Sequence, residues 1–202
     1  MTASDAAWNR LRAALDLSSP ASSDHDLNPD TVLPPGRKLR AAAVLLAFED
    51  SPDGDLRLYL TKRSSALQHH PGQIAFPGGK QDETDRDVEA AALREAHEEI
   101  GLPLGLARVL GRMPEHETVT GFRITPVVAV LEDDFDLVPE PGEVEEAFSV
   151  PLSHLIDPDN YLTESRYWRG VRRRYYIVPY GPYYIWGATA RILRALAARM
   201  QP

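Results

Sequence analysis

The sequence predicts an α/β protein in which a mixed β-sheet is sandwiched between α-helices. Helical and strand-like patterns follow one another in the order helix, strands, helix, strands, helix. Residues 41–48 are an unbroken apolar run, as expected of a strand buried on both faces. Residues 87–100 and 184–199 carry apolar residues at helical spacing, each with one face to bury.

The elements are expected in this order. Residues 4–16 form a packing helix through Trp8, Leu11, Ala14 and Leu15, with Ser4 or Asp5 as its cap. Residues 17–37, rich in Ser, Asp and Pro, read as an extended surface loop. The division expected is thus an N-terminal helix and loop over 1–37 and a globular domain over 38–202, one core being enough for 202 residues. After the strand at 41–48, Asp53-Gly54 signals a hairpin, and Leu56, Leu58 and Leu60 alternate into its second strand. A loop over 64–72 precedes a short strand at 73–76, which delivers the chain to Gly78-Gly79.

The helix from about Asp87 to Ile100 follows, closed by Gly101 at a left-handed position, with Leu93, Ala96 and Ile100 as its buried face. Strands are expected at 106–112 and around Phe122, Ile124, Val128 and Val130, with Pro126 interrupting the alternation. A loop or turn at 142–151 leads into a strand, and a helical segment follows near 152–156. The aromatic and basic stretch 161–180 bends at Arg169-Gly170, and its run Arg172-Arg173-Arg174-Tyr175-Tyr176 reads as a solvated sheet edge. The last helix packs through Ile185, Ala188, Ile192 and Leu196.

Composition narrows the function. With 22 basic and 30 acidic residues the net charge is −8, so no nucleic-acid partner is expected. No cysteine is present, which excludes a disulfide framework, a thiolate metal site and a cysteine nucleophile. No stretch reaches the roughly 18 apolar residues of a membrane span, and the amphipathic N-terminus does not resemble a signal peptide. A cytoplasmic protein without a membrane partner is the expectation; the oligomeric state is left open.

The chemistry concentrates in residues 76–102. Glu95, Glu98 and Glu99 fall within one wedge of the helix, because positions three and four apart share a face. They repel one another, and either solvent with Arg94 or a divalent cation could compensate them. Phe76-Pro77-Gly78-Gly79-Lys80 lacks the spacing of a Walker loop, and His97-Glu98-Glu99 lacks the second His of a zinc protease, since Gly101 stands there. The glycine pair suits close backbone approach to a ligand or metal.

Gly79 followed by Arg94-Glu95-Ala96-His97-Glu98-Glu99-Ile100-Gly101-Leu102 resembles the Nudix box. That box is a Gly, a spaced Glu, then Arg-Glu, an aliphatic, any residue, Glu-Glu, any residue, Gly and an aliphatic. Two departures stand out: the gap from Gly79 to Arg94 is one residue longer than usual, and Asp85 takes the place of the spaced Glu. The longer turn is similar to that of the coenzyme A pyrophosphatase branch. Upstream, Leu60-Thr61-Lys62-Arg63-Ser64 and the segment from Gly72 to Gly79 resemble the signature preceding the box in that branch, with Tyr59 where Leu is usual and Gln68 where Arg is usual. Thr125-Pro126-Val127, the Gly142-Glu143-Val144-Glu145-Glu146 run and Ile185-Trp186-Gly187 extend the similarity.

The resemblance implies a Nudix fold and a metal-dependent hydrolase that splits the diphosphate of coenzyme A or its thioesters. The expected products are 3′,5′-ADP and 4′-phosphopantetheine or its acylated form. It implies Mg²⁺ or Mn²⁺ held by Glu95 and Glu99, with Glu98 as a further ligand or the base and the Gly79 carbonyl completing the site. Arg94 is expected to orient a carboxylate, and Glu98 and Glu143 are the candidate general bases. Arg63, Lys62, Lys80 and Arg123 are candidate phosphate contacts, whereas His69 and His70 are read as exposed structural histidines. The rival expectations are a Nudix pyrophosphatase for another nucleoside diphosphate derivative and a non-catalytic Nudix-fold binding module.

Overall fold

The computed structural model describes residues 3–33, 36–168 and 170–201. Its elements are α1 (Ala3–Asp16), β1 (Ser22–Ser23), β2 (Arg40–Asp50), β3 (Leu56–Arg63), β4 (Ile74–Ala75), β5 (Gly78–Lys80) and α2 (Val88–Ile100). There follow β6 (Ala107–Arg112), β7 (His116–Glu117), β8 (Phe122–Leu131), β9 (Val144–Pro151), α3 (Leu152–Ile156), a 3₁₀ turn at Pro158–Asn160, β10 (Leu162–Trp168), β11 (Val171–Ile177) and α4 (Gly187–Arg199). Nine of the strands make one mixed sheet, and β10 and β11 pair as a separate hairpin.

The apolar run of β2 is explained by its place at the centre of that sheet. It lies parallel to β8 from Arg40↔Phe122 to Phe48↔Val130. Leu46 and Phe48 pack with α1, α3 and α4, through residues such as Leu11, Leu152 and Leu196. Ala43, Leu45 and Ala47 pack on the other side with Ala91, Ala92, Ala96 and Ile100 of α2. Both faces of β2 are therefore covered, and a side-chain period of two leaves no position for a polar residue in the middle of the strand. This is the sandwich expected from the sequence.

Along its other edge β2 has two partners in turn. It pairs with β3 only from Phe48↔Leu58 to Asp50↔Leu56; further along, β3 pairs with β4 at Thr61 and Lys62 instead, while β9 lines its opposite edge from Arg57 to Arg63. In the opening so made, β5 pairs with β2 at Ala42↔Lys80, Ala43↔Gly79 and Val44↔Gly78. A Cβ on Gly78, whose φ is 152°, would fall 2.4 Å from the Ala43 carbonyl oxygen. Glycine is thus required for β5 to enter the sheet, and this entry carries Gly79 under α2.

Pro126 does not end its strand. Its carbonyl accepts from Met113 N (2.9 Å), and its missing N–H faces the same side, where β6 gives way to β7 and no regular ladder runs. Other expectations are corrected. Ser4 lies inside α1, where its hydroxyl donates to Asp50 beside the Trp8 indole (Nε1–Oδ1 2.9 Å). The loop before β2 contains β1, which runs parallel to β7, and buries Ser22 against His116. Ile185 precedes α4 and pairs with Val178, the helix starting at Gly187; Ala188 is only half-buried. Leu93 is half-buried too, and Ala91, Ala92 and Glu99 share the buried face of α2 instead. Pro34, Pro35 and Arg169 lie outside the described residues. Within those residues, no helix is long and apolar enough to cross a membrane.

Candidate active site

The site is built where α2 crosses β5. Asp87 caps the helix by accepting from Ala90 N (2.8 Å), and Gly101 closes it at φ 73°. His97 Nδ1 meets the Leu102 carbonyl at 2.9 Å, so its ring serves the helix end. Between these stops the carboxylates are presented at different depths. Glu99 is 3% exposed, and its Oε2 accepts from Gly78 N at 3.0 Å. Glu95 lies against Gly79 so closely that a Cβ there would fall 2.5 Å from its carboxylate. Glu98 is 56% exposed. The glycine pair thus seats one carboxylate each, and the expected acidic wedge is resolved into two inner members and one outer.

Arg94 organises the outer shell. Its guanidinium grips Asp85 with two bonds of 3.0 Å each, and donates to Glu95 (3.1 Å), Glu98 (3.0 Å) and the Lys80 carbonyl (3.3 Å). The Asp85 side chain is 5% exposed and also accepts from Asp82 N at 2.8 Å, which closes the turn that carries the extra residue. Hydrogen bonding to Asp85 is the first cause that pushes the Arg94 pKa above the ordinary arginine range. Asp85, which stands where the spaced Glu of the box is usual, is therefore the anchor that fixes Arg94.

The inner carboxylates bear the electrostatic cost. Burial pushes Glu99 up to about 8, against the Gly78 N–H and Arg63, with Glu95 and Glu143 adding to the rise. Burial likewise raises Glu95, which Arg94 opposes and Glu98 and Glu143 reinforce. Arg63 NH1 reaches Glu99 Oε1 at 3.9 Å. Glu143 is exposed on the loop before β9, and Ser64 N donates to its carbonyl at 2.8 Å. Lys80 is exposed at the end of β5. The ion pairs of the other two candidate cations lead elsewhere: Lys62 to Glu145 (2.6 Å) and Arg123 to Glu115 (3.4 Å).

Among the described residues, no three His, Asp or Glu side chains are gathered as a ready metal cluster, and Glu95 and Glu98 are both bonded to Arg94. The donor set nonetheless fits a hard divalent cation. It is all oxygen, Glu99 is buried with its nearest cation, Arg63, at 3.9 Å, Glu95 is half-buried beside it, and the absence of a Cβ at Gly79 leaves the backbone open beside Glu95.

The NUDIX domain family matches residues 37–169, which takes in every residue just described. The chain belongs to the Nudix hydrolase family. It is 40% identical over 163 residues to an uncharacterized Nudix hydrolase NudL of Enterobacter sp. (strain 638), covering 80% of this chain and 83% of that protein. The NudL of Escherichia coli O7:K1 is 40% identical over 161 residues, with the same coverage. Among solved structures, a MutT/nudix family protein from Enterococcus faecalis covers 84% of this chain and 64% of that one at a TM-score of 0.50 and 16% identity, a likeness of fold. As a Nudix hydrolase the protein is an enzyme acting on phosphoric anhydrides. Members of the family bind small nucleotide derivatives and generally need a divalent cation such as Mg²⁺ or Mn²⁺.

The structure also brings together a second group of residues, of which the sequence singled out only His70, as a structural histidine, Trp186, within Ile185-Trp186-Gly187, and the 172–176 run. Asp24, His70, Arg166, Arg174, Trp186 and Arg191 line one cleft beside the β10–β11 hairpin. Arg173, Tyr175 and Tyr176, read from the sequence as part of a solvated edge, line it as well. They come from five separate stretches of chain, so no local spacing could have signalled them.

Proposed function

We propose that this Nudix hydrolase splits the diphosphate of coenzyme A or its thioesters, releasing 3′,5′-ADP and 4′-phosphopantetheine or its acylated form. The observation that carries the reading is the place of the upstream segment. Residues 60–64, which resemble the coenzyme A signature, are joined to the glycine turn by pairing of Thr61 and Lys62 with Ala75 and Ile74, and Arg63 reaches the buried Glu99. The segment that resembles a substrate signature is thus a wall of the carboxylate site.

In this reading Glu95, Glu99, Glu98 and the Gly79 carbonyl hold Mg²⁺ or Mn²⁺. When bound, such a cation neutralises phosphate charge and lowers the pKa of water. Arg94 is a positioning residue, since its two bonds to Asp85 and one each to Glu95, Glu98 and the Lys80 carbonyl set the carboxylates and occupy all five of its N–H groups. Of the two candidate bases, Glu143 is favoured. Glu98 is bound to Arg94 and points to solvent, whereas the charge of Glu143 acts on both Glu95 and Glu99. Arg63 and Lys80 are the phosphate contacts preferred, because Lys62 and Arg123 would have to leave Glu145 and Glu115 first.

The test is a panel of coenzyme A, acyl-coenzyme A, nucleotide sugars and dinucleotides, incubated with and without Mg²⁺ or Mn²⁺, with products identified by mass spectrometry. Metal-dependent release of 3′,5′-ADP from coenzyme A is expected. Cleavage of the other compounds with coenzyme A left intact would replace the substrate assigned here by another nucleoside diphosphate derivative.

A further inference from the structure

We propose that the cleft beside the β10–β11 hairpin is a subsite for a phosphomonoester attached to a nucleoside, read by Arg174, Arg166 and Trp186. The proposal rests on the coenzyme A reading, because the 3′-phosphate of that substrate is such a group.

Three observations converge on it. The first is charge. The cleft, of about 100 Å³, is lined by Arg166, Arg173, Arg174 and Arg191 against the single carboxylate of Asp24. Asp24 already accepts from Val119 N (2.9 Å) and meets His116 Nε2 at 3.1 Å, while Arg191 is paired with Asp26 (Nε–Oδ2 2.8 Å). Arg166 and Arg174 are exposed and form none of the ion pairs found among the described residues. A positively charged pocket in a chain of net charge −8 is a local exception that favours an anion.

The second observation is the aromatic wall. The Arg166 guanidinium lies 3.9 Å from the Trp186 ring centroid and 5.7 Å from that of Tyr175, and Tyr175 and Trp186 meet edge-on at 5.3 Å. A cation stacked on an indole is the arrangement that also accepts a planar base, with the guanidinium free to turn toward a phosphate. Beyond Arg173 and Arg174 the cleft adjoins a groove of about 1130 Å³ lined by residues 27–32 and Glu164, which gives a nucleoside room that the cleft alone lacks.

The third is continuity with the carboxylate site. His70 lines the cleft and holds φ 55°, a left-handed conformation uncommon outside glycine, with its carbonyl accepting from Gln73 N (3.2 Å). It stands on the loop between β3 and β4. That loop closes on Arg63, whose carbonyl accepts from Gly72 N (3.0 Å) and whose N–H donates to the Gln73 carbonyl (3.0 Å), and the Arg63 side chain is the one that reaches Glu99. One loop thus has the cleft on one side and the buried carboxylate on the other, the relation that the two ends of a nucleoside diphosphate derivative require.

The test uses the full chain in EDTA, titrated calorimetrically with adenosine 3′,5′-bisphosphate, 5′-AMP and inorganic phosphate. The bisphosphate should bind at least about tenfold more tightly than 5′-AMP, as expected for an added charge-assisted contact. Arg174→Ala should remove that preference while melting with the wild type, because the backbone bonds of Arg174 to Asn28 (2.8 and 3.0 Å) survive the truncation. Arg166→Ala should weaken it, and Arg174→Lys should restore part of it. In turnover, Arg174→Ala should lower kcat/KM for coenzyme A about tenfold or more relative to 3′-dephospho-coenzyme A.

If the wild type cleaves coenzyme A but both alanine variants keep the preference for the 3′-phosphate, the subsite is wrong and the substrate reading stands. If coenzyme A is not cleaved, the substrate reading falls and the titration decides the subsite alone. Loss of preference in Arg174→Ala then upholds it, and equal binding of bisphosphate and 5′-AMP by the wild type overturns it.

Discussion

Replacing Glu99 by Gln is expected to make the metal-free protein more stable at pH 8 while removing most of its turnover. An ordinary glutamate titrates near 4.5, whereas burial moves Glu99 up to about 8, with the Gly78 N–H and Arg63 only partly opposing it. Between these values the folded protein holds a proton that the unfolded chain has released. Raising the pH through that window therefore favours the unfolded state, and above about 8 the full cost is present. At about 1.4 kcal/mol per pH unit, the gap sets an upper bound of roughly 5 kcal/mol. Relaxation of the site around a buried charge brings the expectation down to about 2–3 kcal/mol, or roughly 5–10 °C in a chain of this length.

Gln carries no charge to bury, and its carbonyl oxygen can still accept from Gly78 N. Melting curves in EDTA should show the two proteins close together at pH 5 and the variant ahead by roughly 5–10 °C at pH 8. Saturating Mg²⁺ or Mn²⁺ should reverse the order, because only the wild type gains a ligand that binds the folded state. Turnover of the variant should fall by orders of magnitude. A difference in Tm that stays constant from pH 5 to pH 8 would refute the assignment of the buried charge, and undiminished turnover would refute Glu99 as a metal ligand.

The same burial predicts that apparent metal affinity rises about tenfold per pH unit up to about 8 and then levels off, since one proton must leave Glu99. A Mn²⁺ titration followed by calorimetry at several pH values checks this, and a flat profile would contradict it. Arg94→Ala leaves Asp85 buried without its two-bond partner, and should cost about 2–4 kcal/mol of stability by urea denaturation as well as lowering turnover at least about a hundredfold. Gly79→Ala puts a methyl 2.5 Å from the end of a flexible Glu95 side chain, so the fold should survive. Mn²⁺ affinity should drop by about 10–100-fold as Glu95 is displaced; unchanged affinity would remove Gly79 from the site.

Where backbone pattern decides structure, the chain was readable. Asp87 and Gly101 stop α2 by local hydrogen bonding and a left-handed residue, and the unbroken run from 41 to 48 could only be a strand covered on both faces. The errors at α1 and α4 have another origin. Ser4 is a good cap in isolation, but Asp50, distant in sequence, supplies an acceptor that a local rule does not see. Ile185 has helical spacing to Ile192 and Leu196, yet the glycine at 187 and the pairing of Ile185 with Val178 fix it as extended chain. Pro126 interrupts an alternation but not a strand, because whether its missing N–H matters depends on where β6 and β7 part.

The carboxylate site shows the same division within a single helix. Periodicity puts Glu95, Glu98 and Glu99 in one wedge, but it cannot order them by depth. Depth is set by β5, which enters the sheet only because Gly78 has no Cβ and thereby brings a backbone N–H under Glu99. One carboxylate of the wedge is consequently buried and pushed up to about 8, and another is held at the surface by Arg94. The division of labour among like residues is a tertiary property. It follows that substituting the three glutamates singly should give three different pH profiles of metal binding, with that of Glu98→Gln nearest the wild type, since its side chain is the one already in solvent.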